Sequence, residues 1–322
     1  MKFGVLQFFS WSGRVPLETV YARAFERIAI MDQGGYDAVW LAEHHFSNYS
    51  VCPSVTLMGA HVAARTRRLR IGTAVTLAAL YPPLRLAEEL ALLDVLSGGR
   101  LLWGAGRGFD PREFRAFAVP VEESAERMLE CVEIVRAAWR DEKLVHRGRH
   151  WTFEDVDVLP KPLQKPHPPI WLAASSPEAV VRAATLGYSI LQDPHSPHAE
   201  IARKRALYRE TLESHGHAFA GRELPVARLL AVAPTDREAE AVARAGAAWT
   251  VGSYATGPST GASPEARIEQ YVRDVVLHGS PERIADEIAR LRETIGLDSL
   301  MCAPLSHASF LLFTERVLPK FL

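Results

Sequence analysis

Cysteine, net charge and long apolar runs are all scarce in this sequence. Only three of 322 residues are cysteine, and Cys52, Cys131 and Cys302 are too scattered for a disulfide framework or for paired metal or redox ligands. The formal net charge of −1 provides no overall basic field for nucleic acid. No apolar run reaches the roughly 20 residues that span a bilayer. Residues 1–6 predict a strand rather than a signal peptide, so we expect a cytoplasmic protein that binds neither nucleic acid nor membrane.

Strands and helices alternate along almost the entire chain, as judged from apolar periodicity and from Pro, Gly and Ser at the boundaries. Eight strands are predicted, each followed by at least one helix, at residues 3–8, 37–41, 69–75, 101–105, 168–173, 188–191, 225–233 and 299–303. Even spacing without a composition change between the halves predicts one domain over residues 1–322, an α/β fold of the (β/α)8 TIM barrel type. A doubly wound sheet is the alternative.

Two segments interrupt the helical and strand periodicity. Residues 144–169 follow the long amphipathic helix of residues 124–139, the fourth main helix, and their rough alternation predicts a small hairpin insertion. Residues 250–263 are rich in Gly, Ser, Thr and Pro, which predicts a mobile loop.

A glycine-rich stretch with one arginine, residues 104–108, follows the fourth predicted strand. In a (β/α)8 barrel the carboxyl ends of the strands carry the functional residues. Gly106 would let backbone approach a ligand, and Arg107 supplies a forked donor suited to phosphate. Ser175 and Ser176 begin a helix after the fifth strand, where N–H groups and the helix dipole attract anions. Because these strands are neighbours, the sequence predicts a phosphate held between them.

Two alternatives to this phosphate site remain open. Arg107 could lie in solvent at a flexible turn, because a strand followed by Gly-x-Gly is a weak motif. Many barrels hold phosphate after strands seven and eight instead. Here those loops, residues 234–236 and 304–307, have no glycine or basic residue at the strand ends, so they rank second.

Glu43, His44 and His45 follow the second predicted strand. Their spacing does not suit a metal site, because adjacent strand residues point to opposite sides. A histidine at the barrel mouth suits proton transfer near neutral pH, and only one of the two should face the cavity. The competing interpretation is a structural histidine bonded to backbone.

Aromatic side chains are frequent near the predicted mouth. Phe8, Phe46, Phe109 and Phe114 predict an apolar substrate pocket, although the same residues could belong to the core. A phosphate site beside an aromatic, uncharged cavity suits a flat cofactor with a phosphate tail better than a small phosphosugar.

Four segments together resemble the bacterial luciferase-like flavin monooxygenases: residues 37–46 (DAVWLAEHHF), 72–75 (GTAV), 92–100 (LLDVLSGGR) and 104–108 (GAGRG). The resemblance runs from residue 1 to about residue 321. It implies a dimeric (β/α)8 barrel that takes reduced FMN from a separate flavin reductase. It also implies that oxygen adds to the flavin to give a C4a-peroxyflavin, which oxidises a small organic substrate.

The resemblance assigns roles to individual residues. His44 matches the catalytic histidine, with Glu43 and His45 as its neighbours. A non-prolyl cis peptide between Ala74 and Val75 would lie against the flavin ring, and residues 250–263 match an active-site lid in position. The cofactor contacts implied are Ala74, Val75, Gly106, Arg107, Ser175, Ser176, Gln192 and Asp193.

The sequence departs from the family pattern at two places. Gly106 stands where luciferases carry a reactive cysteine, so light emission is not implied. Ser124 and Ala125 lack the arginine that relatives place after the serine, and Arg127 is the candidate replacement.

Three other functions stay open. An F420-dependent oxidoreductase on the same barrel would need basic residues around the mouth for a polyglutamate tail, and a non-catalytic flavin-binding protein would keep the pocket alone. A phosphate-binding aldolase or isomerase would need a buried lysine or paired carboxylates at strand ends. The sequence therefore favours an FMN-dependent, metal-free monooxygenase for a hydrophobic substrate, with a flavin reductase as transient partner and a homodimeric assembly.

Overall fold

The computed structural model describes residues 1–253 and 263–322. Within these residues the strands are β1 Lys2–Gln7, β2 Ala38–Leu41, β3 Arg70–Thr73, β4 Thr76–Leu77, β5 Leu101–Gly106, β6 Leu144–Arg147, β7 Thr152–Val156, β8 Ile170–Ala173, β9 Ser189–Leu191, β10 Val226–Val232, β11 Leu277–Gly279 and β12 Ser299–Pro304. The helices are α1 Leu17–Gln33, α2 Val55–Arg65, α3 Pro83–Leu96, α4 Pro111–Ala116, α5 Ser124–Arg140, α6 Pro177–Thr185, α7 His198–Ser214, α8 Asp236–Ser253, α9 Pro264–Asp274, α10 Pro281–Ile295 and α11 His307–Arg316.

The main sheet is parallel and curled. Its strands hydrogen-bond in the order β11-β10-β12-β1-β2-β3-β5-β8-β9, and β4 pairs with β5. Gln192, directly after β9, forms a parallel bridge with Val226 at the start of β10. The sheet therefore curls until its β9 edge reaches β10, which gives an α/β fold with a curled parallel sheet.

The strands of this sheet are buried on both faces, as their continuous apolar sequences require. Inside the curl Trp40 and Trp171 meet edge to face, with ring centroids 5.6 Å apart. Gly72 makes room for the larger indole, because a Cβ there would lie 2.2 Å from Trp40 Cε3. A second apolar layer separates the sheet from the surrounding helices. Apolar side chains packed around Trp40 and Trp171 thus fill the interior of the curl.

The segment after α5 contains an antiparallel hairpin, β6 paired with β7. Glu130 of α5 fastens it: Oε1 accepts from the Trp151 amide at 3.0 Å and Oε2 from the His150 amide at 3.0 Å. Glu130 Oε1 also lies 3.2 Å from His146 Nε2. Although burial opposes ionisation, these donors hold the pKa of Glu130 below its usual value.

The prediction of a mobile loop over residues 250–263 is wrong at both ends of that range. Residues 250–253 form the last turn of α8, where the Thr250 hydroxyl donates to the Gly246 carbonyl at 3.0 Å. Ser263 caps α9 by accepting from the Ala266 amide at 3.2 Å. The rest of that prediction, residues 254–262, lies outside the described residues.

Short elements account for the other differences from the predicted element order. The sequence interpretation omitted β4, β11, α4 and α9, which are between two and eleven residues long. The strands β4 and β11 and the helix α4 carry too few periodic positions to stand out from loops. Helix α9 is as long as α2, but its N-cap, Ser263, is the last residue of the segment assigned to a mobile loop. In residues 1–253 and 263–322, every helix is too short or too polar to cross a membrane.

Candidate active site

A cavity of ≈ 430 Å³ opens at the carboxyl ends of the strands. Most of the residues singled out from the sequence line it: Phe8, Glu43, His44, Ala74, Val75, Gly106, Arg107, Phe109, Ser175, Ser176, Gln192 and Asp193. They lie at or just after the carboxyl ends of β1, β2, β3, β5, β8 and β9, which the curled sheet brings together. Residues that the sequence predicts to share one site thus line one cavity, and their catalytic and cofactor-binding roles stay predictions.

Phe46, Phe114 and His45 were predicted at the site but lie outside the cavity lining. Phe114, on α4, is 1% exposed and belongs to the core rather than to a pocket wall. Phe46 is 63% exposed and packs its ring 5.6 Å from that of Phe117. Strand β2 ends at Leu41, so the following residues turn and do not continue the strand alternation. Of the two histidines, only His44 faces the cavity, as the sequence predicted.

His44 lies among aromatic rings. Its ring centroid is 5.2 Å from that of Tyr49, 6.2 Å from Phe8 and 6.3 Å from Phe109. Burial in this surrounding, together with His45 and His195, lowers the pKa of His44 to about 4. The imidazole is therefore neutral at pH 7, with one ring nitrogen able to donate a hydrogen bond and the other able to accept one.

His45 contacts two buried carboxyl groups instead of the cavity. Its Nε2 lies 2.9 Å from Glu43 Oε1, and its backbone amide donates to Glu113 Oε1 at 2.9 Å. Glu43 Oε2 in turn accepts from the Leu77 amide at 3.3 Å. Burial raises the pKa of both Glu43 and Glu113. This chain of contacts positions the backbone just after Val75.

The peptide bond between Ala74 and Val75 is cis, as the resemblance implied. The glycines of β5 allow this segment to pack closely. A Cβ at Gly104 would lie 2.1 Å from the Thr73 carbonyl oxygen, and a Cβ at Gly106 would lie 2.4 Å from Val75 Cγ2. These two glycines therefore accommodate the neighbouring chain segment. Gly106 also lines the cavity, so its part in ligand approach stays a prediction.

The predicted phosphate site combines a cation with a helix N-terminus. Arg107 is exposed at the rim, and its Nη1 donates to Ser124 Oγ at 3.2 Å. Ser176 caps α6 by accepting from the Ala179 amide at 3.3 Å. The backbone amide of Glu178 and the Ser176 hydroxyl hydrogen-bond the Glu178 carboxylate and lower its pKa. A side-chain carboxylate thus already engages this helix end.

Arg182 also lines the cavity and was missed in the sequence interpretation. It lies on the face of α6 that carries Glu178, Ala179 and Ala183, all of which line the cavity. This i, i+1, i+4, i+5 spacing from position 178 defines one helix face, so helical periodicity counted from the Ser176 cap could have found Arg182.

Arg127 does not replace the arginine absent at position 125. Its guanidinium stacks on Trp151, 4.8 Å from the ring centroid, and Nη1 lies 3.6 Å from Glu123 Oε2. Helix α5 therefore presents Arg127 to the hairpin, while Ala125 faces the cavity.

Gln192 and Asp193 line the cavity, but their side chains are hydrogen-bonded to the loop after β9 and to helix α7. Gln192 Oε1 accepts from Arg205 Nη1 at 3.3 Å. Asp193 accepts from the Ser196 amide and hydroxyl, each at 2.8 Å. Although burial opposes ionisation, Lys204 and Ser196 hold the pKa of Asp193 below its usual value. Both residues shape the wall rather than offering unbonded groups to a ligand.

The chain shows two kinds of similarity to known proteins. The model of the luciferase-like monooxygenase family matches residues 1–299. The oxygenase component of flavin-dependent trigonelline monooxygenase from Acinetobacter baylyi is 30% identical over 230 residues, which cover 70% of this chain and 62% of the relative. The chain spans about half to three fifths of the length of the first curated relatives that it matches.

Solved structures show the same fold. The monooxygenase RslO1 from Streptomyces bottropensis aligns with a TM-score of 0.88 and 28% identity over 100% of both chains. The oxygenating constituent of 3,6-diketocamphane monooxygenase from Pseudomonas putida, solved with FMN, aligns with a TM-score of 0.83 and 20% identity over 100% of this chain and 99% of that one. An F420-dependent secondary alcohol dehydrogenase aligns with a TM-score of 0.79 and 17% identity over 98% of each. With a family match over 299 residues, the chain belongs to the luciferase-like monooxygenase family.

Proposed function

We propose that this protein is the oxygenase component of a two-component flavin monooxygenase, which uses reduced FMN and oxygen to oxidise a small, largely apolar organic substrate. One observation carries the proposal: His44, the cis Ala74–Val75 segment, Arg107 and the start of α6 all line one cavity. The trigonelline relative, named as an oxygenase component, and the FMN-bound camphane enzyme support it.

The residues present fit FMN. The cavity of ≈ 430 Å³ lies within the range of about 300–1,000 Å³ for small-molecule sites. Arg107, Arg182 and the backbone at Ser175 and Ser176 would hold the phosphate, which must displace the Glu178 carboxylate from the helix end. When bound, reduced FMN supplies the electrons that activate oxygen, with one oxygen atom going to the substrate and the other to water.

The chain's own residues would then orient the reactants and exclude water. The neutral imidazole of His44 would hold or pass a proton at the reacting end of the cavity. Glu43 and His45 position the Ala74–Val75 segment through the Leu77 amide. Phe8 and Phe109 give the lining its apolar character and favour an apolar reacting group.

Anaerobic titration with reduced FMN, in parallel with reduced F420, tests the proposal. We expect FMN to bind the wild type, and Arg107→Ala to weaken binding about tenfold or more through loss of a charge-assisted hydrogen bond. The matched control is Arg115→Ala, an exposed arginine of α4 that does not line the cavity. Oxygen uptake on adding air completes the test. If neither cofactor binds, the phosphate site is wrong.

An F420-dependent oxidoreductase is the second candidate because of the structural likeness to the F420-dependent alcohol dehydrogenase. A polyglutamate tail would require several cations, and the described lining of the cavity offers only Arg107 and Arg182. Binding of F420 without oxygen uptake would favour this function over the first.

Three structural inferences accompany the proposed function. We infer a complete (β/α)8 barrel, supported by the Gln192–Val226 bridge, which joins eight parallel strands into a ring with β11 outside it. A homodimer is supported by exposed apolar side chains on α2 and α3, among them Leu57 at 74% and Leu96 at 59% exposure. The buried, unpaired thiols of the chain support a reducing, cytoplasmic location.

A further inference from the structure

A second cavity, of ≈ 670 Å³, adjoins the first at the carboxyl ends of β1 and β12. Leu6 and Phe8 line both cavities, so the two spaces share a wall. Helices α1 and α8 and the N-terminus of α11 complete the second cavity. The two cavities are therefore neighbours, on either side of the Leu6 and Phe8 side chains.

The charge lining this cavity is positive. Arg23 and Arg27 lie one turn apart on α1, and His307 begins α11. Arg27 Nε lies 3.3 Å from His307 Nδ1, whereas Arg23 makes no hydrogen bond or ion pair within the described part of the chain. No aspartate or glutamate belongs to the described lining. Glu26, which is outside this lining, places its Oε1 3.8 Å from His307 Nε2. Two arginines beside a helix N-terminus still leave an excess of positive charge over this one carboxylate, and that excess favours an anionic ligand.

Two buried polar atoms point to a ligand independently of this charge. Gln7 is 3% exposed, and its Oε1 has no hydrogen-bond partner in residues 1–253 and 263–322. The indole Nε1 of Trp249 also has no partner in those residues. Buried polar groups normally find partners, so these two atoms indicate a ligand that offers an acceptor to Trp249 and a donor to Gln7.

We propose that the second cavity binds the carboxylate end of the organic substrate, and that the apolar part of the same molecule extends past Leu6 and Phe8 towards His44. The substrate class is then an organic acid that also carries a hydrogen-bond donor. Arg23, Arg27 and Trp249 bind its carboxylate, and Gln7 accepts from its donor group. Calling this acid the substrate rests on the proposed function, whereas the binding site itself does not.

Calorimetric titration of the flavin-free protein tests the site with a matched pair of ligands. The probes are 4-hydroxyphenylacetate and its neutral amide, 4-hydroxyphenylacetamide. We expect the acid to bind at least about tenfold more tightly than the amide, because hydrogen bonds to a charged group contribute more binding free energy than those to a neutral one. Arg27→Gln and Arg23→Gln should each reduce this preference severalfold. Arg292→Gln, at an exposed position of α10 that lines neither cavity, should leave it unchanged.

Three outcomes would overturn the proposal. Equal affinity for acid and amide, or no binding of the acid at millimolar concentration, would remove the carboxylate site. A preference for the acid that survives in both arginine variants would place the site elsewhere. Inorganic phosphate binding as tightly as the acid, with the same loss in the variants, would make this a site for free anions and not for a substrate.

Binding measurements on the same protein distinguish a failure of this proposal from a failure of the proposed function. Arg107→Ala, which removes the expected FMN contact, should bind 4-hydroxyphenylacetate as the wild type does. If the wild type binds the acid with the expected preference but no reduced flavin, the monooxygenase proposal fails and the acid site stands. If the wild type binds reduced FMN but no acid, the acid site fails and the monooxygenase proposal stands.

Discussion

Gly106 and Val75 allow a direct test of how the cavity wall is packed. An added Cβ at position 106 would lie 2.4 Å from Val75 Cγ2 and 3.2 Å from Val75 Cβ, whereas carbon atoms in contact are about 3.5–4.0 Å apart. Valine is stiff at χ1, so the clash forces a shift of the backbone or a change to a poorer rotamer. The expected loss in the free energy of unfolding for Gly106→Ala is about 1–3 kcal/mol.

A second substitution should relieve this clash. Val75→Ala removes the methyl group that the Cβ added by Gly106→Ala would meet. We therefore expect the double variant Gly106→Ala/Val75→Ala to be more stable than the sum of the two single changes by about 1 kcal/mol or more. Urea unfolding of the wild type, the two single variants and the double variant measures this coupling.

Gly252→Ala serves as the matched control for this cycle. Among residues 1–253 and 263–322, nothing lies within 4 Å of a Cβ built at Gly252, which is in the last turn of α8. Alanine there should be neutral or stabilise by up to about 1 kcal/mol through helix propensity. If Gly106→Ala is as stable as the wild type, or if the double variant is merely additive, the close packing of Val75 on β5 is not what requires glycine.

The other predictions concern the hairpin, pH and assembly. Glu130→Ala should lower the free energy of unfolding by about 1–3 kcal/mol and speed amide exchange in residues 144–156, because it removes the acceptor of three donors. The folded protein keeps His44 neutral down to a pKa of about 4, while the unfolded chain takes up a proton near 6.5, so stability should fall as pH drops from 6.5 towards 4. His44→Asn should flatten that slope in urea titrations at several pH values. Leu57→Glu should convert a dimer to a monomer in sedimentation velocity, and an unchanged mass would place the interface elsewhere.

Local signals predicted much of the fold and the cavity. Continuous apolar runs located the main parallel strands, and Ser-Pro starts located α6 and α10. Because the carboxyl ends of neighbouring parallel strands meet, Arg107 and Ser176 could be placed together without coordinates. This placement depends only on the order of strands and helices along the chain, and apolar periodicity predicts that order.

Side-chain orientation in short elements, and contacts between elements far apart in the chain, could not be predicted from the sequence. Phe114 and Phe109 are close in sequence, yet one is core and the other lines the cavity, because the short helix α4 turns them apart. The loop after the eighth predicted strand ranked second for phosphate because it has no glycine or basic residue at the strand end. The structure supplies Arg23 and Arg27 there from α1, nearly 300 residues away in the sequence. No local pattern indicates such a pairing.

The bridge at Gln192 has a mechanical consequence. Two backbone hydrogen bonds, each 3.0 Å long, join Gln192 at the β9 edge of the curled sheet to the segment 225–227 at the start of β10. Arg205 stabilises this contact from both sides, because it donates to Gln192 Oε1 at 3.3 Å and to the Leu224 carbonyl at 3.0 Å. A joint of two bonds opens at lower free energy than a ladder of many. Gln192 and Asp193 line the first cavity, so the hydrogen bonds of Arg205 also help to hold this part of the cavity wall in place.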